Sequence, residues 1–278
     1  MPKLPANGTH EAQERYSTIA KRIITAQQVV RKLFNRNYEG DPKAGSVKIP
    51  VRAVTTINDY DILEGTPLTN STTAYDTIVV DKHKAVNELI DGFEADSVPD
   101  NMVANRLEVG TIAVGNTLEA DAIAVLETQG TVIAATAPLL PDTAYGSILA
   151  AVSSLKKTKL AQNPSEIAVI VSVDTNDLLL LDDRYSARQT SLTDEERANG
   201  VVSKIGGAFV YESTMLSADV DYIAFIKEFA TAIDENTIPL GVNDLSDGKH
   251  IGSSALQGRF LYANKVTNST CVIARKHA

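Results

Sequence analysis

Asn101 to Gln129, NMVANRLEVGTIAVGNTLEADAIAVLETQ, is the most informative segment of this 278-residue chain. Its apolar residues keep helical phase over about eight turns, which predicts one continuous helix. These residues are Val103, Leu107, Val114, Leu118, Ala122 and Val125. Asp100 is a plausible N-cap and Gly130 a natural stop. At about 1.5 Å per residue the helix would be about 43 Å long, which is typical of a spine. Inside it, Gly110 and Gly115 predict that another backbone packs closely there.

Before this helix the sequence predicts a long β-hairpin. Residues 46–54 (SVKIPVRAV) and 72–81 (TTAYDTIVVD) read as strands, and turn-forming residues lie between them. A two-stranded hairpin is marginal alone in water, so this one needs another surface to lie on. Residues 82–93 then read as a short amphipathic helical stretch.

The N-terminal segment predicts an amphipathic helix from His10 to Phe34. Its apolar positions are Tyr16, Ile19, Ile23, Ala26, Val30 and Leu33. Residues 1–39 carry a charge of +4, whereas the remainder carries −13. Such asymmetry suggests a segment with its own partner. The helix could pack on its own domain or dock, as an arm, on a neighbouring subunit.

The C-terminal half mixes helices and strands, which predicts an α+β fold. We expect a helix at 145–157, a buried strand at 167–173 and a further helix that starts at 174–177. Residues 182–199 read as a charged surface loop, and residues 200–211 as a strand pair with a glycine hinge. Strand and helix follow at 220–238, and strands close the chain at 258–262 and 270–274.

Composition excludes several functional classes. The net charge of −9 argues against nucleic-acid binding as the main function, since phosphate neutralisation needs clustered Lys and Arg. No segment approaches the roughly 18 uncharged apolar residues that span a bilayer, and the first residues lack the apolar stretch of a secretory signal. We therefore expect a protein made and used in a cytoplasm.

The search for chemistry predicts no catalytic, cofactor-binding or metal-binding residues. The four histidines are His10, His83, His250 and His277, and none has the spacing of a zinc site. His250, with Asp244 or Asp247, would be the best catalytic base, but no nucleophile motif accompanies it. Cys271 lies in an apolar run and reads as a buried structural thiol.

Two further features resemble functional motifs, but the residues around them favour a structural role. The pair Gly206-Gly207 lacks the flanking residues of a phosphate-binding loop, so it reads as a backbone turn. The acidic runs at 182–183 and 194–196 lack EF-hand spacing and are typical of a solvated face.

Three stretches resemble the major capsid proteins of tailed bacteriophages, the Hong Kong 97-type fold shared with encapsulin shells. Residues 77–91 (TIVVDKHKAVNELID) resemble the family segment that joins the extended loop to the peripheral domain. Residues 206–213 (GGAFVYES) resemble its G-F-x-V-Y-x-S strand, and Gly252 with residues 257–266 (QGRFLYANKV) resembles its closing strands. The order of the segments supports the resemblance along nearly the whole chain.

The resemblance implies a division of the chain. Residues 1–39 would be the N-terminal arm and 40–80 the extended loop. Residues 81–139 and 217–249 would form the peripheral domain, and 140–216 and 250–278 the axial domain. An arm and a hairpin without private cores would bury their apolar faces on neighbouring subunits, so that assembly and stability become one event.

The resemblance also implies the partners. Family members form hexamers and pentamers that close an icosahedral shell around double-stranded DNA, first in the host cytoplasm and finally in the virion. A separate scaffolding protein, a portal and a decoration protein are further possible partners, and no membrane is. Some members crosslink a loop lysine to an asparagine; Lys43 and Lys48 lie in the right segment, but no motif here identifies a partner. The alternatives are an encapsulin-like nanocompartment, a minor virion component or a soluble α/β enzyme that uses His250.

Overall fold

The computed structural model describes residues 29–37, 45–51, 57–60, 62–63, 65–66, 68, 74–92, 102–185, 192–245 and 249–277. The predicted arm helix up to residue 28 lies outside these ranges, as do Lys43, Asp100 and Asp247.

The described α-helices are α1 (Met102–Gln129), α2 (Pro141–Lys157), α3 (Val173–Leu180) and α4 (Asp194–Ala198). The strands are β1 (Ser46–Val51), β2 (Ala74–Val79), β3 (Lys82–Ile90), β4 (Thr131–Ala135), β5 (Ile167–Val171), β6 (Val201–Ile205), β7 (Ala208–Glu212), β8 (Val220–Ile226), β9 (Ala230–Asp244), β10 (Ser254–Val266) and β11 (Val272–His277). Single 3-10 turns lie at Arg31–Leu33, Pro164–Glu166, Lys227–Phe229 and Ser269–Cys271.

A mixed six-stranded sheet has the order β4-β11-β8-β5-β7-β6. All residues of the two central strands β5 and β8 are buried, as expected for strands covered on both faces. On one face lies α2, whose buried residues are Ala144, Ile148, Ala151, Val152 and Leu155. Their spacing of three or four residues gives α2 a single apolar stripe towards the sheet.

A three-stranded sheet, β3-β10-β9, packs one face against α1. The predicted long helix is confirmed: α1 has 28 residues and ends directly before Gly130. Leu107, Val114 and Leu118 of α1 are buried against Leu256 and neighbouring strand residues. At Gly110 a Cβ would lie 2.9 Å from Leu256 Cδ2. The close approach predicted for this glycine is therefore present, but a leucine side chain makes it.

By length and composition alone, residues Arg106–Gln129 of α1 could cross a membrane. This stretch contains five charged residues, so it is not a run of uncharged apolar residues. The helix is part of the core, because two of its carboxylates are buried and bonded to the same chain. Glu119 accepts hydrogen bonds from the backbone of Val30 and Arg31, and Glu127 accepts them from Ser217.

The helical stretch predicted at 82–93 is wrong, because this segment contains β3. Val86 and Ile90 are four residues apart, a spacing that places two side chains on one face of a helix or of a strand. The choice between the two is made by β10, which pairs with β3 over nine antiparallel positions. A ladder of this length cannot be anticipated from the local pattern.

The charged loop predicted at 182–199 is also wrong in part. Tyr185 is buried and donates a hydrogen bond to Asn176 Oδ1 at 2.8 Å. The acidic run 194–196 lies in α4, where the Thr193 hydroxyl accepts from the Glu196 N–H and Glu196 accepts from the Thr193 N–H. This capping box turns part of the run into the first turn of a helix.

The strands of the segments 217–249 and 250–278 are divided between the two sheets. β8, within the segment 217–249, lies in the six-stranded sheet, and β10, within 250–278, is the centre of the three-stranded sheet. β4, expected in the peripheral segment, also joins the six-stranded sheet. Strands pair here with partners far away in the chain, so their membership cannot be read from segment order. The division into domains remains a prediction.

Candidate assembly surfaces

His250, the best candidate for a catalytic base, makes a local contact. His250 lies between β9 and β10, where its carbonyl oxygen accepts from the Ser253 N–H at 3.3 Å. Asp244, its predicted partner, accepts from the Ser254 hydroxyl at 3.0 Å. His83, on β3, accepts from Arg259 Nε at 2.8 Å. In the parts of the chain that the structure describes, no three His, Cys, Asp or Glu side chains are grouped so as to hold a metal ion.

A cavity of about 320 Å³ opens at the carboxyl ends of the parallel strands β5 and β7. Ligands of open α/β sheets bind at such edges. Its lining includes Asp221 and His277, whose Oδ1 and Nδ1 atoms lie 3.2 Å apart. Asp221 also forms an ion pair with Arg275. Sequence reasoning missed the Asp221–His277 pair, because it joins β8 to β11 and no motif links them.

Three serines line the same cavity, and each has a structural partner. The Ser217 hydroxyl donates to Glu127 Oε2 at 2.6 Å. Ser172 is the N-cap of α3: its hydroxyl oxygen accepts from the Thr175 N–H at 3.2 Å. The Ser213 hydroxyl accepts from the Met215 N–H at 3.2 Å. A hydrolytic site needs a serine hydrogen-bonded to its base. None of these three serines has such a bond to His277, so the cavity lacks the geometry of a nucleophilic site.

Other predictions for single residues are confirmed. Cys271 is buried, and its burial raises the pKa of the thiol. Gly206 and Gly207 have φ of 58° and 88° and connect β6 to β7, as predicted for a backbone turn. Lys48 lies exposed on β1.

The paired strands β1 and β2, which we call the root of the predicted hairpin, pack on the body of their own chain. β1 and β2 pair antiparallel over six positions, as predicted. The buried Ile49 and Ile78 form a cluster with Ile233 of β9 and Ala263 of β10. Lys265 Nζ donates to Asp76 Oδ1 at 2.5 Å and to the Thr77 carbonyl at 2.8 Å. The expectation that the hairpin buries its apolar face only on neighbouring subunits is therefore wrong for its root.

The distal part of the hairpin, the described residues between 57 and 68, is exposed where the root is buried. Ile57 and Leu63 are each 94% exposed and Leu68 is 104% exposed. Tyr60 and Ile62 are also among the exposed large hydrophobic residues of the described chain. Apolar side chains grouped at the surface in this way mark an interaction site.

The end of the arm is also attached to its own chain. Instead of the predicted helix, residues 29–37 form a 3-10 turn at Arg31–Leu33 and a bridge between Asn35 and Thr231 of β9. Val30 and Phe34 are buried, and the Phe34 ring meets Phe225 edge-on at a centroid distance of 6.0 Å. We call residues 30–35 the arm base. Of the two alternatives for this segment, the arm base shows packing on its own domain, as a 3-10 turn in place of the predicted helix.

Glu119 of α1 holds the start of this turn. Its carboxylate accepts from the Val30 N–H at 2.7 Å and from the Arg31 N–H at 3.2 Å. N–H groups at the beginning of a helical turn have no acceptor within the turn, and a negative charge is favourable there. Burial raises the pKa of Glu119, and the two N–H donors and the Arg31 charge oppose that rise.

Arg31 connects the arm base to the sheet. Its guanidinium forms a two-point ion pair with Asp234 of β9 and donates to Asn264 Oδ1 of β10 at 3.4 Å. It also lies over the Tyr262 ring, 5.2 Å from the centroid, and the Tyr262 hydroxyl donates to Asp121 of α1. Burial and that hydrogen bond raise the pKa of Tyr262, which keeps the hydroxyl a donor.

No protein-family model matches the sequence, and no curated protein matches it either. Solved structures do match its fold. A structure from Mycobacterium phage Che8 is 23% identical, with a TM-score of 0.70 over 89% of this chain and 90% of that chain. The capsid structure of the cyanophage P-SCSP1u is 13% identical, with a TM-score of 0.67 over 88% of this chain and 86% of that one. A virus-like particle from Pyrococcus furiosus is 10% identical, with a TM-score of 0.60 over 95% and 99%. The predicted α+β fold is confirmed.

Proposed function

We propose that this chain, which has the tailed-phage major capsid fold, is a viral shell subunit that self-assembles into an icosahedral capsid around phage double-stranded DNA. Assembly would proceed through hexamers and pentamers, first in the host cytoplasm, and the finished shell would be part of the virion. On this account the protein is structural and not an enzyme. The capsid structures of cyanophage P-SCSP1u and bacteriophage PhiM1, which share the fold, support this use.

The observation that carries the proposal is the contrast within the hairpin. Its root is buried on its own chain, whereas Ile57, Leu63 and Leu68 in its distal part are almost fully exposed. Burying one such side chain is worth about 1.5–3 kcal/mol, so leaving several in water is costly for an isolated subunit. A neighbouring copy that covers them would regain this free energy on assembly.

Such a contact favours a ring. The hairpin of one copy and the surface that receives it on the next copy are different parts of the chain, so the contact is heterologous. Heterologous contacts close into rings when the rotation allows it, and hexamers and pentamers are such rings. We assign the arm to residues 1–39, the extended loop to 40–80, and the peripheral and axial domains to the two parts built around the three-stranded and six-stranded sheets.

The charge distribution supports a container for DNA. The chain beyond residue 39 carries −13, so its contact with packaged DNA would be loose and non-specific. The segment 1–39, with +4, is the part that we expect near DNA or a scaffolding protein. Portal and decoration proteins would be further partners.

The test is the content of the particles made in infected cells. We expect particles in which this chain is the most abundant protein and double-stranded DNA is protected from added nuclease. Removal of residues 1–34 tests the role of the arm, and normal DNA-filled shells without it would remove that role. Particles that contain no nucleic acid at any stage would contradict the capsid function.

A second candidate is a nanocompartment shell. It is favoured by the match with the virus-like particle from Pyrococcus furiosus, which extends over 99% of that chain. Under this alternative the particles would enclose protein cargo. Mass spectrometry of the purified particles separates the two, since a stoichiometric enzyme inside would indicate a compartment.

A further inference from the structure

The arm base and the hairpin root are attached to the same pair of strands. In the three-stranded sheet, β3 pairs with β10 only as far as Tyr262. Beyond that point β9 and β10 continue together to the pair Val266 and Ala230. We call residues 230–234 and 262–266 the ribbon. A two-stranded ribbon is marginally stable by itself, so its order depends on what covers its faces.

One face of the ribbon holds the arm base. Asp234 and Asn264 contact the Arg31 guanidinium, and Ala230, Ala232 and Val266 belong to the cluster that includes Val30 and Phe34. At the edge of β9, the Asn35 N–H donates to the Ala230 carbonyl at 2.7 Å and the Ala232 N–H donates to the Asn35 carbonyl at 3.0 Å. Asn35 thus supplies the pairing that a third strand would otherwise supply.

The opposite face holds the hairpin root. Ile233 and Ala263 pack against Ile49 and Ile78, and Lys265 donates to Asp76 and to the Thr77 carbonyl. Each of these ribbon residues is adjacent in sequence to a residue that serves the arm: Ile233 precedes Asp234, and Asn264 lies between Ala263 and Lys265. Successive side chains of a strand point to opposite faces, which is why one short ribbon can serve both appendages.

We infer that the ribbon couples the arm base to the hairpin root, so that loosening one loosens the other. Each appendage stabilises the ordered ribbon to which the other binds. Two groups that favour the same ordered state bind with positive cooperativity even if they never touch. In a shell subunit, which is the proposed function, the coupling would make the arm and the hairpin respond together when a neighbour engages either of them.

Hydrogen exchange of the full chain tests the coupling. Arg31→Met removes the ion pair with Asp234 and leaves every hairpin contact in place. We expect amide exchange in β1 and β2 to become at least about tenfold faster. Lys265→Met removes the hairpin link, and it should accelerate exchange at Asn35 and Ala232 by a similar factor, because coupling between two sites is reciprocal.

Two further variants make the result decisive. Glu88→Gln breaks the Arg106–Glu88 ion pair (2.5 Å), which joins α1 to β3 in the same sheet but outside the ribbon. It should leave exchange in the hairpin root unchanged. Glu119→Ala removes both acceptors of the Val30 and Arg31 N–H groups, which loosens the arm base without removing Arg31, and it decides the matter if Arg31→Met does not fold. The inference would be overturned if amide exchange in the hairpin stayed at the wild-type rate while the arm base opened. It would also be overturned if exchange in the hairpin rose equally in Glu88→Gln.

The exchange is compared in unassembled chains, with the assembly state of each sample verified by light scattering. The coupling is a property of one subunit, so it is measured whether or not shells form. A chain that fails to assemble would contradict the proposed function and leave the exchange result readable.

Discussion

The Arg31 guanidinium, which is 1% exposed, forms a two-point ion pair with Asp234, a residue 203 positions further along the chain. A buried charge that keeps its partner is tolerated, whereas one that loses its partner is strongly destabilising. This pair therefore fixes where the arm leaves the body. Through the ribbon, it also bears on the hairpin.

Asp234→Asn should destabilise the folded chain by about 2–4 kcal/mol, because it leaves the Arg31 charge buried beside a neutral amide. Urea unfolding followed by circular dichroism measures the change. The matched control is Arg36→Gln, since Arg36 also contacts Asp234, at 3.4 Å, but is 41% exposed. An exposed partner of this kind contributes about 0–1 kcal/mol. Equal effects of the two variants would show that burial of Arg31 is unimportant.

Stability should depend on pH through Glu119. Its pKa in the folded chain is raised by burial above the ordinary value of 4.5. A raised pKa means that the folded state binds the proton more tightly, so the contribution of Glu119 is greatest below pH 4.5 and declines as pH rises through the folded pKa. The stability of the wild type relative to Glu119→Gln should therefore fall across this window. A difference that grows with pH would mean that the two N–H donors outweigh burial.

Isoleucines at the two ends of the hairpin should behave differently. Ile78→Ala, in the root, should cost the subunit about 2–5 kcal/mol, because Ile78 is buried and leaves a cavity. Ile57→Ser, in the distal part, should leave subunit stability within about 0.5 kcal/mol, as is usual for exposed positions. It should raise the concentration needed for assembly about tenfold, since about 1.4 kcal/mol of interface free energy is lost. Unchanged assembly in Ile57→Ser would remove the distal hairpin from the interface.

The Cys271 thiol should be inert in the folded chain. It is buried, and its raised pKa lowers the fraction of reactive thiolate at neutral pH. A chromogenic disulfide reagent should react only after urea is added, at the rate of global unfolding. Rapid reaction of the native chain would mean that this part of the core opens locally.

Local sequence patterns were sufficient to predict the elements that do not depend on pairing with a distant part of the chain. The spine α1, the strands of the hairpin, β5 and the Gly206-Gly207 turn follow from helical phase, alternation and glycine chemistry. Elements defined by distant partners were mispredicted. The segment 82–93 fits a helix until β10 pairs with it, and the sheet membership of β8 and β10 depends on strands far away in the chain.

The same distinction applies to the candidate surfaces. The sequence predicts a hairpin and an arm, but it cannot show that Glu119 and Asp234 hold the arm base, because neither carboxylate belongs to a motif with Arg31. The two faces of the ribbon serve two appendages, and this becomes apparent only when the register of β9 with β10 is known.

Electron microscopy of the purified full chain is the most direct test of the central claim, that exposed apolar surface on the hairpin is covered by other copies. We expect closed, hollow particles of uniform diameter, built from this chain without any other protein or with a scaffolding protein alone. A folded chain that remains a monomer or a small oligomer at every concentration, with or without scaffold, would contradict it.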